Sequence, residues 1–349
     1  MSRPSDSHAS RISDVARHAG VSVGTVSNVL NHPQKVSAKT IALVRHSIEE
    51  LGFVRDANAR SLAAGGSRSI GMVVIDLGNS IFVDAARGAQ SAARTAGLNL
   101  LLAGCEDDFD VQNENVDLFN EARVAGLLLA PMRDSTAQVR RFTQRGRPVV
   151  LLNYEPKTGA GCCVILDNEQ VGYLAAKHLI DLGCDQVALV GSGDDLQPVQ
   201  LRREGVRRAV AESRDTVRFE EIRTEDLTLA SAERAADAIA KRGPGTRPNG
   251  IVAVTDILAS GLISRLSGHG LDVPTDVAVM GCDHNSSAPD ASMTVSTVSA
   301  RGYEMGAAAM NLLLDELRSD PATHVHQRIV LEPELVVRES TRGFHLAAR

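Results

Sequence analysis

SDVARHAGVSVGTVSNVLN, residues 13–31, decides how this chain begins. Ser13 is placed to cap a helix whose apolar positions Val15, Ala16 and Ala19 share one side, and Gly20 supplies a left-handed residue to end it. Ser22 offers a second N-cap. Behind it Val23, Val26, Val29 and Leu30 recur at helical spacing, which leaves Thr25, Ser27 and Asn28 outside the core. Two helices joined by a short turn, the second presenting small polar side chains, have the geometry with which a helix lies in the major groove of DNA.

Working outward, Ser37 caps a third helix in which Ile41, Val44, Ile48 and Leu51 make the apolar stripe and Gly52 the stop. Residues 1–62 hold eight Lys or Arg against five acidic residues, a net +3 on a chain whose total is −6. A basic module on an acidic body suits binding a polyanion with one end only.

The remainder reads differently. At 349 residues the chain is long enough for two or three domains, and 43% hydrophobic with 23% charged residues is the composition of a soluble globular protein. It has no membrane-length apolar run, and MSRPSDSHAS at the start lacks the apolar core of a secretory signal, so a cytoplasmic protein is expected. The five cysteines (105, 162, 163, 184, 282) form no CxxC pair and read as reduced small hydrophobes. Zinc-ligand spacing is absent, and neither a metal nor another cofactor is expected.

IGMVVI (70–75), LNLLLA (98–103), AGLLLA (125–130) and PVVLLN (148–153) predict buried strands alternating with helices; VALVG, GIVAVT and VAVMG continue the pattern. The expectation is a small all-α headpiece followed by an α/β core of two doubly wound parallel-sheet lobes. We expect a headpiece at 1–54 and a hinge at 55–66. The first lobe is expected from 67–166 with 292–322, and the second from 167–291 with 323–349. GSG at 191–193 follows a strand as a dinucleotide fingerprint would, but position 196 is Leu where a third Gly is wanted. GxxxxGK[ST], GxSxG and HExxH are absent, so no catalytic residue is assigned.

Four segments in order, ISDVARHAGVSVGTVSNVLN (12–31), KVSAKT (35–40), IEELGF (48–53) and NARSLAAG (58–65), resemble the headpiece and hinge of the LacI/GalR family of transcriptional regulators. IGMVVIDLGNSIF, the DN at 167–168 followed by AAKHLIDLG, RREG at 202–205, VTDILASG and PTDVAVMGCDH resemble that family's periplasmic-binding-protein-like core. The resemblance implies a dimeric repressor of a catabolic or transport operon, bound to a pseudo-palindromic operator. Its affinity would be set by a small molecule, by family habit a sugar or sugar derivative, in the cleft between lobes.

Carried over residue by residue, Val23, Gly24 and Asn28 would read bases. Ser22, Thr25, Ser27, Asn31, Lys35, Ser37 and Thr40 would contact phosphates. Ala59 and Leu62 of the hinge would enter the minor groove, Leu62 as a wedge. The family usually has Arg at position 28, Pro at 55 and Asn at 56, where this chain has Asn28, Arg55 and Asp56. Asp76, Phe82, Tyr154, Arg202, Asp256 and Asp283 are the expected effector residues. NSIF stands where the family has an NPFF-like segment, which leaves one aromatic for stacking, so a nucleoside or an anionic ligand on Arg202 competes with a sugar. Two other readings compete as well: a ligand sensor with a non-functional headpiece, and a nucleotide-dependent enzyme.

Overall fold

The computed structural model describes residues 10–53, 67–157, 161–192, 196–213, 217–283, 293–320 and 323–344. The hinge expectations, including Arg55, Asp56, Ala59 and Leu62, lie outside the described residues. The chain divides into two compact units, Met1–Ser67 and Arg68–Arg349.

In the first unit, α1 (Ile12–His18), α2 (Val23–Asn31) and α3 (Ala38–Glu50) surround a core of Val15, Ala16, Ala19, Val26, Val29 and Val44. The first helix starts two residues earlier than Ser13 would allow as its cap: Arg11 holds the cap position, and the Asp14 carboxylate accepts from the Arg11 N–H at 2.9 Å. Ser22 and Ser37 do cap α2 and α3, accepting from Thr25 N at 3.1 Å and Thr40 N at 3.3 Å. Gly20 and Gly52 take φ of +63° and +57°, a conformation that spares them the Cβ clash and turns the chain out of each helix. Val23 leaves the apolar stripe expected of it and is 46% exposed, because Val26 and Val29 already fill the contact with α1.

The second unit holds two parallel sheets. In the first lobe β1 (Ser69–Val74), β2 (Asn99–Gly104), β3 (Leu127–Leu129), β4 (Val149–Leu152), β5 (Cys162–Leu166) and β11 (Arg328–Leu331) lie in the order β11-β5-β4-β3-β1-β2. Alternate residues face opposite ways. Ile70, Met72, Leu128, Val150 and Val164 pack under α4 (Ser80–Thr95) and α11 (Gly302–Arg318). Val73, Leu127, Leu129, Val149 and Leu151 pack with Phe119 and Phe142 of α5 (Phe109–Glu121) and α6 (Thr136–Thr143). A strand buried on both faces reads as a continuous apolar run. LNLLLA departs from that expectation: β2 is the sheet edge, and Leu101 and Leu102 are 41% and 42% exposed.

The second lobe has β6 (Gln186–Gly191), β7 (Arg218–Arg223), β8 (Gly250–Ala253) and β9 (Ala278–Met280) in the order β7-β6-β8-β9. Its helices are α7 (Asn168–Asp181), α8 (Gln197–Glu212), α9 (Leu229–Ala240) and α10 (Asp256–Gly268). β10 (Thr297–Ser299) and β12 (Glu334–Val336) pair antiparallel as a separate ribbon.

The lobe boundaries expected at 292 and 322 need correction. Ser296 bridges to Met280 of the second lobe, so the chain returns to the first lobe only at α11. β11 pairs in parallel with β5, so residues 328–331 belong to the first lobe, and the last crossing follows Leu331. Beyond it Ser340 bonds Val279 through both main chain and side chain, and Phe344 is buried.

Candidate DNA-reading helix and effector cleft

α2 carries two kinds of surface. Val26 and Val29 are buried, whereas Val23, Gly24, Asn28 and Asn31 are exposed and Ser27 is half-buried. Positions 24 and 28, 23 and 27, and 27 and 31 stand four apart, so these residues form one outward stripe. Asn31 Nδ2 donates to Ser27 Oγ at 3.2 Å, which orders the stripe's far end. The Ser22 and Thr25 hydroxyls meet at 2.9 Å and those of Ser37 and Thr40 at 2.8 Å. The same cap thus closes the N-termini of α2 and α3, where free backbone N–H groups and the helix dipole favour a phosphate. Lys35 is exposed between them.

The second unit has a cavity of about 440 Å³ at the carboxyl ends of the strands, bounded by residues of both lobes. Asp76, Phe82, Arg202 and Asp283 all line it. Asp76 follows β1 and its Oδ1 accepts from Gly78 N at 2.7 Å. Phe82 lies in the first turn of α4, whose N-cap is Asn79.

Arg202 is placed by a close helix contact. A Cβ added to Gly172 of α7 would come within 1.9 Å of Arg202 O, and one added to Gly205 of α8 within 1.8 Å of Glu169 O. Only glycines let the two backbones touch, and this is what the R-x-x-G spacing accomplishes. Arg202 is 4% exposed; its Nε donates to Asn168 Oδ1 at 3.0 Å and its Nη1 to Val254 O at 2.6 Å. Asn168 Nδ2 in turn donates to Asn153 Oδ1 at 2.8 Å. Asn153 follows β4 with φ of +51°, a left-handed conformation that Asn tolerates. This chain of polar groups links the lobes behind the cleft.

Asp283 joins them in front. Its Oδ1 accepts from Asp256 N and its Oδ2 from Asn79 Nδ2, both at 2.8 Å. On the same cavity Asp107, exposed at its mouth, has its pKa raised, chiefly by partial loss of water and then by the charges of Asp76 and Asp226. Three carboxylates therefore line the cavity with one guanidinium, and Ile75, Leu196, Val199, Leu229 and Ile257 supply apolar walls.

Two expected effector residues are not brought to this cavity. Tyr154 is buried against the opposite face of the first sheet, with Val149 and Leu151: it lies beyond the end of β4, and Asn153 at φ of +51° breaks the alternation that would have put it with Val150 and Leu152. Asp256 is 1% exposed and spent internally: its Oδ1 accepts from Thr297 Oγ1 at 2.6 Å and from Asp283 N at 3.2 Å. Asn79, Asp107, Asn153 and Asn168 were not singled out from the sequence. Their signal was position, each at or just beyond a strand's carboxyl end or at a helix start. Gly191 of the GSG motif packs against Val254, whose side chain a Cβ would approach within 2.3 Å.

Residues 11–56 match the family model for bacterial regulatory proteins of the lacI family, and residues 176–341 a periplasmic binding protein-like domain. The HTH-type transcriptional repressor PurR of Vibrio vulnificus is 32% identical over 333 residues, 95% of this chain and 98% of that one. The chain belongs to the lacI family. This LacI-family protein is accordingly a DNA-binding transcriptional repressor. Its fold is that of a LacI-family regulator from Silicibacter pomeroyi (TM-score 0.80, 22% identity, covering 95% of this chain and 99% of that one). The lac repressor dimer bound to operator and the anti-inducer ONPF is also similar (TM-score 0.78, 23% identity, covering 96% and 99%). Among the described residues of the regulator no helix is long and apolar enough to cross a membrane.

Proposed function

We propose that the chain acts in the cytoplasm as a homodimer on a two-fold symmetric operator of a catabolic or transport operon, and that a small molecule in the cleft sets its operator affinity. Val23, Gly24 and Asn28 read base edges, and Ser22, Thr25, Ser27, Asn31, Lys35, Ser37 and Thr40 meet phosphates. The effector is a neutral, polyhydroxylated molecule, a sugar or a sugar derivative. Asp76, Asp107 and Asp283 can accept hydrogen bonds from ligand hydroxyls, and the charges of Asp76 and Asp283 repel anions, which disfavours a phosphate or carboxylate ligand despite Arg202. The apolar walls and the single aromatic, Phe82, suit a derivative with one flat apolar face, such as a nucleoside.

The observation that carries this reading is the Asn79–Asp283 hydrogen bond at 2.8 Å across the cleft. A ligand hydroxyl bound to Asp283 acts on the contact that joins the lobes, so occupancy and lobe geometry are linked. A homodimer fits the edge strand β2, whose exposed Leu101 and Leu102 a second copy would cover.

Selection of bound duplexes from a random DNA pool by the full-length protein at moderate salt tests the DNA half. A two-fold symmetric site with a central pyrimidine–purine step is expected, and unenriched sequence from the folded dimer, with and without effector, would defeat it. A thermal-shift panel of neutral sugars, nucleosides and their phosphorylated counterparts tests the other half. Stabilisation by phosphorylated members alone would overturn the neutral-ligand assignment.

A further inference from the structure

At the strand-start end of the first-lobe sheet, opposite the effector cleft, four metal-binding side chains converge. Cys162 is the first residue of β5, Glu316 lies near the end of α11, and His324 and His326 stand on the segment that leads into β11. Their donor atoms all lie within 4.8 Å of one another. Cys162 Sγ is 3.3 Å from His324 Nε2 and 3.8 Å from His326 Nδ1, and Glu316 Oε2 is 3.4 Å from His324 Nε2. Glu316 Oε2 is buried and makes no well-formed hydrogen bond; His324 Nε2 stands at ion-pair distance from it, so the carboxylate oxygen faces the cluster.

We propose that Cys162, Glu316, His324 and His326 form a binding site for a divalent transition-metal ion, with zinc the ion the donor set suits best. In a tetrahedral site with Zn–S of ~2.3 Å and Zn–N or Zn–O of ~2.05 Å, sulfur and nitrogen donors stand about 3.6 Å apart and nitrogen and oxygen donors about 3.3 Å. The two sulfur–nitrogen spacings bracket the first value and the Glu316–His324 spacing is close to the second, so a modest inward movement of the remaining pairs, all within 4.8 Å, would admit an ion. One soft thiolate, two imidazoles and one carboxylate select zinc over magnesium or calcium, which take oxygen donors. The outer shell is started as well: Gln327 N–H donates to Cys162 Sγ at 3.4 Å. A groove of about 640 Å³ lined by Glu316, His324 and His326 gives an ion a path from solvent.

An ion there ties the end of α11 and the approach to β11 onto the start of β5. It is thus a clamp on the last strand to join the first-lobe sheet. No motif shows this in the sequence, because the donors come from three elements; the visible trace is the H-V-H run at 324–326.

The test uses untagged full-length protein stripped with a chelator and titrated with zinc(II), then with cobalt(II) as a spectroscopic probe. Expected are one ion per chain, a higher Tm with zinc, and a cobalt spectrum with tetrahedral visible bands and a thiolate charge-transfer band. Cys162→Ser removes the charge-transfer band. His326→Ala, at an exposed position that spares the fold, weakens binding by more than about tenfold. Cys163→Ser, whose side chain faces the other side of the sheet, leaves binding intact. The proposal is overturned if the wild type binds no stoichiometric ion. It is equally overturned if affinity and spectrum persist unchanged in both His326→Ala and Cys162→Ser.

Discussion

Gly24 sits in the first turn of a helix where an added Cβ meets nothing nearer than Ser22 Oγ at 3.7 Å. Nothing inside the folded unit requires glycine there, and glycine costs the helix roughly 1 kcal/mol relative to Ala. Gly24→Ala should therefore raise the melting temperature of the headpiece in calorimetry while weakening operator binding, if close approach to DNA is what the missing side chain provides. Asn28→Arg should move the selected base at its contact from adenine toward guanine, a discrimination of about 1–3 kcal/mol readable in a duplex-selection experiment. At this scale the sequence was informative where a residue's surroundings are local. The Ser22 and Ser37 caps, the left-handed glycines and the exposure of Asn28 all follow from neighbours within a few positions. Tyr154 and Asp256 failed because strand-end position says a side chain is near the cleft, not which way it points. Asp256 also competes with a nearer acceptor role toward Thr297, 41 residues away in sequence.

Helix contacts explain the rest of the cleft. The Gly172 and Gly205 pair sets the spacing of α7 and α8 and with it the position of Arg202. Gly205→Ala should push the helices apart, at a cost of about 1–3 kcal/mol in denaturant unfolding, and should weaken effector binding in parallel because Arg202 moves away from Asn168. On α7, His178 Nε2 lies 2.9 Å from Thr341 Oγ1, and burial holds its pKa below the ordinary value of 6.5 although Asp181 opposes the shift. The unfolded chain then takes up a proton that the folded one refuses, so stability is retained above about pH 6.5 and falls as the pH drops below it. Thermal melts between about pH 7.5 and 5.5 should show a steeper loss for the wild type than for His178→Gln. Strands β1, β3, β4, β6, β8 and β9 were legible as apolar runs because both their faces are covered. β7, RFEEIR, was not, since an edge strand with one wet face carries charges. β5 was also missed, being a five-residue run that directly precedes a helix.

For the whole molecule the exposed β2 edge leads to an association test. Replacing Leu101 and Leu102 by Glu should shift sedimentation from dimer to monomer and abolish operator binding at concentrations that saturate the wild type, with the melting temperature little changed. The doubly wound plan was readable from alternation alone, but the ownership of the last segments was not. β11 is an ordinary apolar strand, and only pairing with β5 assigns it to the first lobe. That pairing also has a consequence for the order in which the protein is made. β5 ends at Leu166 and β11 at Leu331, a separation of 165 residues (331 minus 166). At ~5–20 residues per second, a ribosome needs roughly 8–30 s to cover that distance. During all of it the emerging first lobe has β5 as an unpaired edge, so the nascent chain passes through a stage in which its first-lobe sheet is open to whatever strand arrives first.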